Sequence, residues 1–273
     1  MGLKDTVDKH SVDTVKKMLK FLDMVPHHYK TGPWSPVTHL VIFSYLCFML
    51  LTMGSAIDSY ASQDYSHPPN DWIQTYRLFF GLYGIVTSFL IYRDVGFWPL
   101  CSYTLTSWNL MTLRLVFSYL AGANIAWAGV IAGILRYPAL AGCSITVTIW
   151  WAVLVPVIDY LLSMDTNKEG RKFFWKWNLS PMLINVHLLN LPICGIEFLY
   201  SNVAFTFFDL WIALLVALLY CLFYLNVLDP RGLHFYIIFT PRTAWCAVSY
   251  ALVLGSYYCF YQLWNHVLSR DFL

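Results

Sequence analysis

Residues 37–57 read VTHLVIFSYLCFMLLTMGSAI, twenty-one consecutive positions without an Asp, Glu, Lys or Arg. An α-helix rises ~1.5 Å per residue, so a stretch of this length crosses the ~30 Å hydrocarbon core of a bilayer. The reading of this segment as a membrane span decides how the rest of the chain is read.

Stretches of the same kind recur at about 73–92, 98–120, 140–162, 181–200, 204–226 and 244–266, with one additional helix expected over 123–136. Together they predict an all-α, polytopic transmembrane helix bundle of about seven spans, forming a single domain over 37–273. Composition agrees: 59% of the 273 residues are hydrophobic and 12% charged, against roughly half and a quarter in soluble domains. The polar run MDTNKEGRK (164–172) reads as a connection, and LDPRG (228–232) as a turn.

Ahead of the first span, residues 1–36 carry six lysines. Val12, Val15, Leu19 and Leu22 recur at helical spacing, with Lys9, Lys16, Lys17 and Lys20 on the other faces. This pattern predicts a cytosolic amphipathic helix lying in the membrane interface, as an anchor on anionic lipid or a partner-binding element. The opening MGLKDT fits the loose myristoylation pattern, with Gly2 as acceptor. With the amino terminus inside, thirteen of the seventeen Lys and Arg residues fall on the inner side and only Arg136 and Arg270 on the outer, the asymmetry that orients membrane proteins. No secretory signal is evident, and a lysine-rich start interspersed with Asp5, Asp8 and Asp13 fits a mitochondrial transit peptide poorly. The endomembrane system (ER) or plasma membrane is the expected location, with the mitochondrial inner membrane as the alternative.

A net charge of +2 with no basic block beyond the amino terminus argues against nucleic-acid binding. The seven cysteines are scattered through apolar segments, with no zinc-type spacing, so they read as packing residues. Neither metal nor cofactor is expected. A transporter is the weaker class, because broken helices, inverted repeats and stacked carboxylates are not apparent.

Ionisable groups within the expected spans are few: Arg77, Arg114, Asp159, His187, Glu197 and Asp209. Such groups are costly in lipid and usually face the bundle interior. Arg114 is expected to be neutralised by Glu197 or Asp209, either as a structural charge network or as a site for a carboxylate head group or ion. Asp159, near the inner end of its span, can reach water. Ser102, Thr106 and Asn109 form one polar stripe on the third span, and His187, Asn190, Cys194 and Glu197 another on the fifth. Both spans run from inside to outside, and counting ~1.5 Å per residue puts Thr106 and His187 at a common depth of about 10 Å. A threonine hydroxyl becomes a nucleophile when a base takes its proton, and imidazole is the usual base. Asn109 or Asn190 could donate to the oxyanion of an attacked ester. The same residue types also serve as hydrogen-bonding glue between spans, and both readings stay open.

The segment HLLNLPICGIE (187–197) resembles the His-x(3)-hydrophobic-Pro-x(4)-Glu signature of the androgen-induced, fatty-acid-ester hydrolase family of membrane proteins. LTSWNL (105–110) is similar to that family's leucine-threonine motif, and NVHLLN and PRGLHFY resemble the related rolling-stone branch. The resemblance covers roughly 98–245. It implies hydrolysis of hydrophobic fatty-acyl esters by a Thr106 nucleophile and His187, without metal or cofactor, on a lipid-like substrate reached from the bilayer. The alternative is a non-catalytic scaffold, fusion factor or accessory subunit with protein partners in a larger membrane complex.

Overall fold

The computed structural model describes residues 34–61, 71–164, 168–201, 203–233, 235–236 and 239–269. Gly2 and nearly all of the amino-terminal amphipathic segment lie outside the described residues. Every regular element among the described residues is helical. The long helices are α1 (Ser35–Ala61), α2 (Asp71–Val95), α3 (Tyr103–Gly122), α4 (Ala126–Ile134), α5 (Arg136–Thr148) with its continuation α6 (Val155–Met164), α7 (Lys168–Asn178), α8 (Pro181–Ile184) with its continuation α9 (Asn190–Ser201), α10 (Phe207–Phe223) and α11 (Trp245–Leu268).

Among the described residues, five helical stretches are long and apolar enough to cross a membrane: Ser35–Tyr60, Asp71–Val95, Ala126–Met164, Pro181–Tyr200 and Phe207–Arg231. The expected third and last spans are also helices, of 20 and 24 residues, but less apolar. Arg114 and a run of Thr, Ser and Tyr dilute α3, and Tyr, Ser, Gln, Asn and His dilute α11. The expected extra helix and fourth span merge into the 39-residue stretch Ala126–Met164, broken only at Leu135. Arg136, expected at the end of the extra helix on the outer side, opens α5 instead and is 7% exposed. Its guanidinium donates to the carbonyls of Val203 and Ala204 (3.2 and 2.6 Å) and lies 3.5 Å from Asp209, and these partners hold it inside the protein.

The polar connection after Met164 is helical over α7. Arg171 on α7 grips Asp159 with two 2.7 Å hydrogen bonds, and the Trp175 indole donates a third at 2.7 Å, so α7 lies along the end of α6. Asp159 is thus held by a neighbouring helix in addition to facing water.

The described chain divides into two compact units, one within Met1–Leu51 and Ala217–Gly255, the other within Thr52–Val216 and Ser256–Leu273. In the first, the Thr38 hydroxyl meets the Cys246 thiol at 2.8 Å, and Phe239 stacks on Tyr250 with ring centres 5.0 Å apart. The turn predicted from LDPRG is present, with Gly232 at φ 77°.

The second unit is built around α3. Ser102 starts this helix by accepting the Leu105 amide at 3.3 Å. Two glycines let neighbouring backbones approach it closely, as small residues do in membrane bundles. A Cβ at Gly84 of α2 would collide with Thr112, and one at Gly142 of α5 would sit 2.8 Å from the Ser107 hydroxyl oxygen. Helix α5 is buried along Arg136–Thr146, and α9 packs on α2, α3 and α5.

Candidate buried histidine site

Among the described residues, three helices widen into π turns, over Ile149–Leu154, Asn185–Leu189 and Tyr224–Leu228. Each inserts a residue into an otherwise α-helical stretch, and such insertions occur frequently at functional sites. The first two face each other. In the Asn185–Leu189 turn, the Asn190 amide donates to the Asn185 carbonyl five residues back. His187 sits at the middle of this turn and is 8% exposed. Its imidazole stacks on the Trp150 indole, with ring centres 3.8 Å apart and planes at 23°. The next residue, Trp151, donates its indole N–H to the His187 carbonyl at 2.8 Å. A widened turn leaves backbone acceptors poorly served from within the helix, and in the membrane interior a side chain must serve them.

Around this stack, several buried polar atoms lack hydrogen-bond partners. They are His187 Nδ1, Asn190 Nδ2, Asn178 Nδ2 and Thr146 Oγ1. The Leu183 carbonyl, one helical turn back, is the backbone acceptor that the imidazole N–H approaches, although Nδ1 does not reach it in full hydrogen-bonding geometry. Trp150 links two of these residues directly, His187 by stacking and Asn178 by a hydrogen bond. Its indole N–H donates to Asn178 Oδ1 at 2.8 Å, Thr146 precedes it by one turn, and Asn190 follows the stacked His187 by three residues. Asn190 Oδ1 accepts the Leu191 amide at 2.8 Å, while its buried NH2 group has no partner. The two facing π turns thus carry an imidazole, two buried amides and a buried hydroxyl on adjoining residues. Each unpaired buried polar group costs about 1–3 kcal/mol, so the arrangement is a standing expense that a bound polar group would relieve.

The other expected residues are placed as follows. Thr106 is half-buried on α3, which packs against the His187 turn, but no hydrogen bond joins Thr106 to His187. The side of α3 that faces α9 is marked by Arg114, whose Nη2 donates to Glu197 Oε1 and Oε2 at 3.2 and 3.4 Å. Seven residues earlier, Ser107 lies within ~20° of Arg114 around the helix, whereas Thr106 lies ~80° away, beside Leu113. Leu113 is 45% exposed, while Ser107 is buried and its hydroxyl donates to the Tyr103 carbonyl at 2.9 Å. Asn109 turns towards α2, where its Oδ1 accepts the Ser88 hydroxyl at 2.7 Å.

Glu197 serves two arginines. Arg77 donates Nε and Nη2 to Glu197 Oε1 at 3.2 and 2.8 Å, alongside Arg114. Asp209 pairs with Arg136 and also accepts the Thr206 amide at 2.8 Å. Cys194 is buried between these groups on α9. Among the described residues, no group of three His, Cys, Asp or Glu is placed to hold a metal ion.

Trp150, Trp151 and Asn178 escaped the sequence reading. The doubled tryptophan inside an apolar run was a visible signal, but an apolar span offers no reason to prefer its indoles over any others. These features define a class, an all-helical protein with several helices fit to span a membrane and a buried imidazole site between two π turns. No family model, curated protein or solved structure matches the chain.

Proposed function

We propose that this chain is a seven-span integral membrane enzyme that cleaves or transfers acyl groups of hydrophobic fatty-acyl esters, with His187 as the base. The observation that carries the reading is a buried His187 stacked on Trp150, the same indole that holds Asn178, with buried unpartnered amide NH2 groups on Asn178 and on Asn190 three residues further along the chain. A neutral imidazole in apolar surroundings accepts a proton from an attacking hydroxyl and returns it to the leaving alcohol. Buried amide N–H groups supply what the developing oxyanion needs. Thr106 is the nucleophile that the family resemblance names. Ser107, buried on the side of α3 that meets Gly142 of α5, is its neighbouring hydroxyl. The substrate is a lipid that enters from the bilayer, and the thirteen Lys and Arg residues on one side of the span model support a cytosolic amino terminus in the endomembrane system.

The test is hydrolysis of a fluorogenic long-chain acyl ester by purified protein in lipid nanodiscs. His187→Phe keeps a ring against Trp150 and removes the base, so activity should fall by about 10²–10⁴-fold with the fold retained. Thr106→Ala and Ser107→Ala, measured side by side, identify the nucleophile by which of them loses activity. Wild-type rates in His187→Phe reject the reading.

A second reading, a non-catalytic scaffold or accessory subunit, is favoured by the polar side chains that tie helices together. Besides Ser88 with Asn109, the Tyr76 hydroxyl donates to the Ile193 carbonyl at 2.7 Å and the Trp264 indole to the Ser144 hydroxyl at 3.0 Å. No ester hydrolysis by any form of the protein, together with stable co-purification of other membrane proteins, would select it.

A further inference from the structure

We infer that the helix ends around Gln74, Arg77 and Arg114 form a binding site for a singly charged oxyanion, the phosphodiester of a lipid head group. The inference is independent of any activity at His187.

Charge is the first ground. Among the described residues, Arg77, Arg114 and Arg136 form their ion pairs with Glu197 and Asp209, three cations to two carboxylates. Glu197 is 1% exposed and its Oε1 is already shared by both Arg77 and Arg114. A surplus cation inside an apolar bundle is strongly disfavoured unless an anion joins it. A phosphodiester brings the single negative charge that restores balance.

Unused donors are the second ground. Arg114 Nε is buried without a partner, and so are both polar atoms of the Gln74 amide. These groups belong to one column. Arg114, Ser118 and Gly122 follow one another at four-residue intervals along α3, and Arg114 donates to the Ser118 hydroxyl. The Gln74 amide lies against the backbone of Gly122, where a Cβ would collide with it. Arg77 follows Gln74 by about one turn on α2. Guanidinium N–H groups suit phosphate oxygens in geometry as well as charge. The Gln74 amide can donate to the oxyanion and accept from a hydroxyl, a combination that a phosphatidylglycerol head group presents.

Position is the third. Gln74 lies three residues into α2 and Gly122 is the last residue of α3, so the column ends within ~5 Å of the helix termini. Arg77 is 14% exposed, which gives a head group a way in from the bundle edge. Lipid phosphates are concentrated at that depth of a bilayer.

The test uses the purified full-length chain in a neutral detergent, following thermal unfolding as phosphatidylglycerol, phosphatidylcholine, diacylglycerol or inorganic phosphate is added. Phosphatidylglycerol should raise Tm in a saturable manner, with diacylglycerol inactive and phosphatidylcholine weaker. A matching rise with inorganic phosphate supports the oxyanion site and assigns the free anion as its ligand. Arg77→Gln should weaken the apparent Kd about tenfold, the loss of a charge-assisted hydrogen bond. Gln74→Leu, which changes no charge and so preserves the arginine pairing, should weaken it by a smaller factor. Equal shifts from phosphatidylglycerol and diacylglycerol overturn the proposal, as does an unchanged Kd in Gln74→Leu and Arg77→Gln together.

Discussion

The two ends of the helix running from Pro181 to Ser201 handle buried polarity in opposite ways. At one end His187, on a π turn, leaves a ring nitrogen and its neighbouring amides unsatisfied. Ten residues on, about 15 Å along the axis, Glu197 is held by two arginines from two other helices. Physical cost explains the division. Full charges in lipid must be paired, because stranding one costs several kcal/mol, whereas a neutral imidazole or amide can stay open for about 1–3 kcal/mol. The Glu197 end therefore fastens α2, α3 and α9 together, and the His187 end is where a polar group from outside gains most by binding.

Removing the fastener should have the largest effect. Glu197→Ala leaves Arg77 and Arg114 buried against each other, with an expected loss of about 3–5 kcal/mol in unfolding free energy. Denaturant titration of the purified protein in micelles measures it. A loss below about 1 kcal/mol would mean that Glu197 does not hold the arginines, and the contrast between the two ends would collapse.

A middle-sized effect belongs to the His187 end. Trp151→Phe keeps an aromatic ring beside the π turn but deletes the N–H that serves the His187 carbonyl. The stranded carbonyl should cost about 1–3 kcal/mol, read from the same titration. No change would show that the widened turn satisfies itself, and that Trp151 is only packing.

Much of this contrast could be read from the sequence, and the remainder for identifiable reasons could not. Uninterrupted apolar runs make helices legible, since lipid permits few other backbones. That Arg114 would pair with Glu197 or Asp209 was legible too, because a buried charge requires an opposite one and candidates in the spans were few; the choice of Glu197 was not. The burial of Arg136 was not legible, for an arginine ending a helix between two apolar runs looks exposed until the carbonyls of Val203 and Ala204 receive it. The π turns left no trace in the spacing of apolar residues, because a span that is apolar all round has no periodic face to slip. Wheel positions calculated on ideal α-helices therefore mislead nearby. His187 and Asn190 remained on one stretch, but the indoles that fix His187 come from a second widened turn that periodicity cannot reveal. The stripe on α3 divided for a simpler reason: its residues spread far enough around the helix to meet different neighbours, Asn109 at α2 and Thr106 on the half-exposed flank.

That division frames the smallest expected effect. Asn109 was expected to serve either as an oxyanion donor or as glue, and Ser88 now occupies its Oδ1 at 2.7 Å. Interhelical hydrogen bonds of this kind in membrane proteins average about 0.6 kcal/mol, because the separated helices find other partners. Ser88→Ala should therefore lower stability by about that amount and leave ester hydrolysis unaltered, if Asn109 works only at the α2 contact. The bond also holds the Asn109 amide plane in one orientation. Were Asn109 to act on the substrate, freeing it would lower kcat out of proportion to the small loss in stability. A hydrolysis rate that falls severalfold in Ser88→Ala would move Asn109 from the fastening residues to the reactive ones, and would extend the open polar region from the His187 turn on to α3.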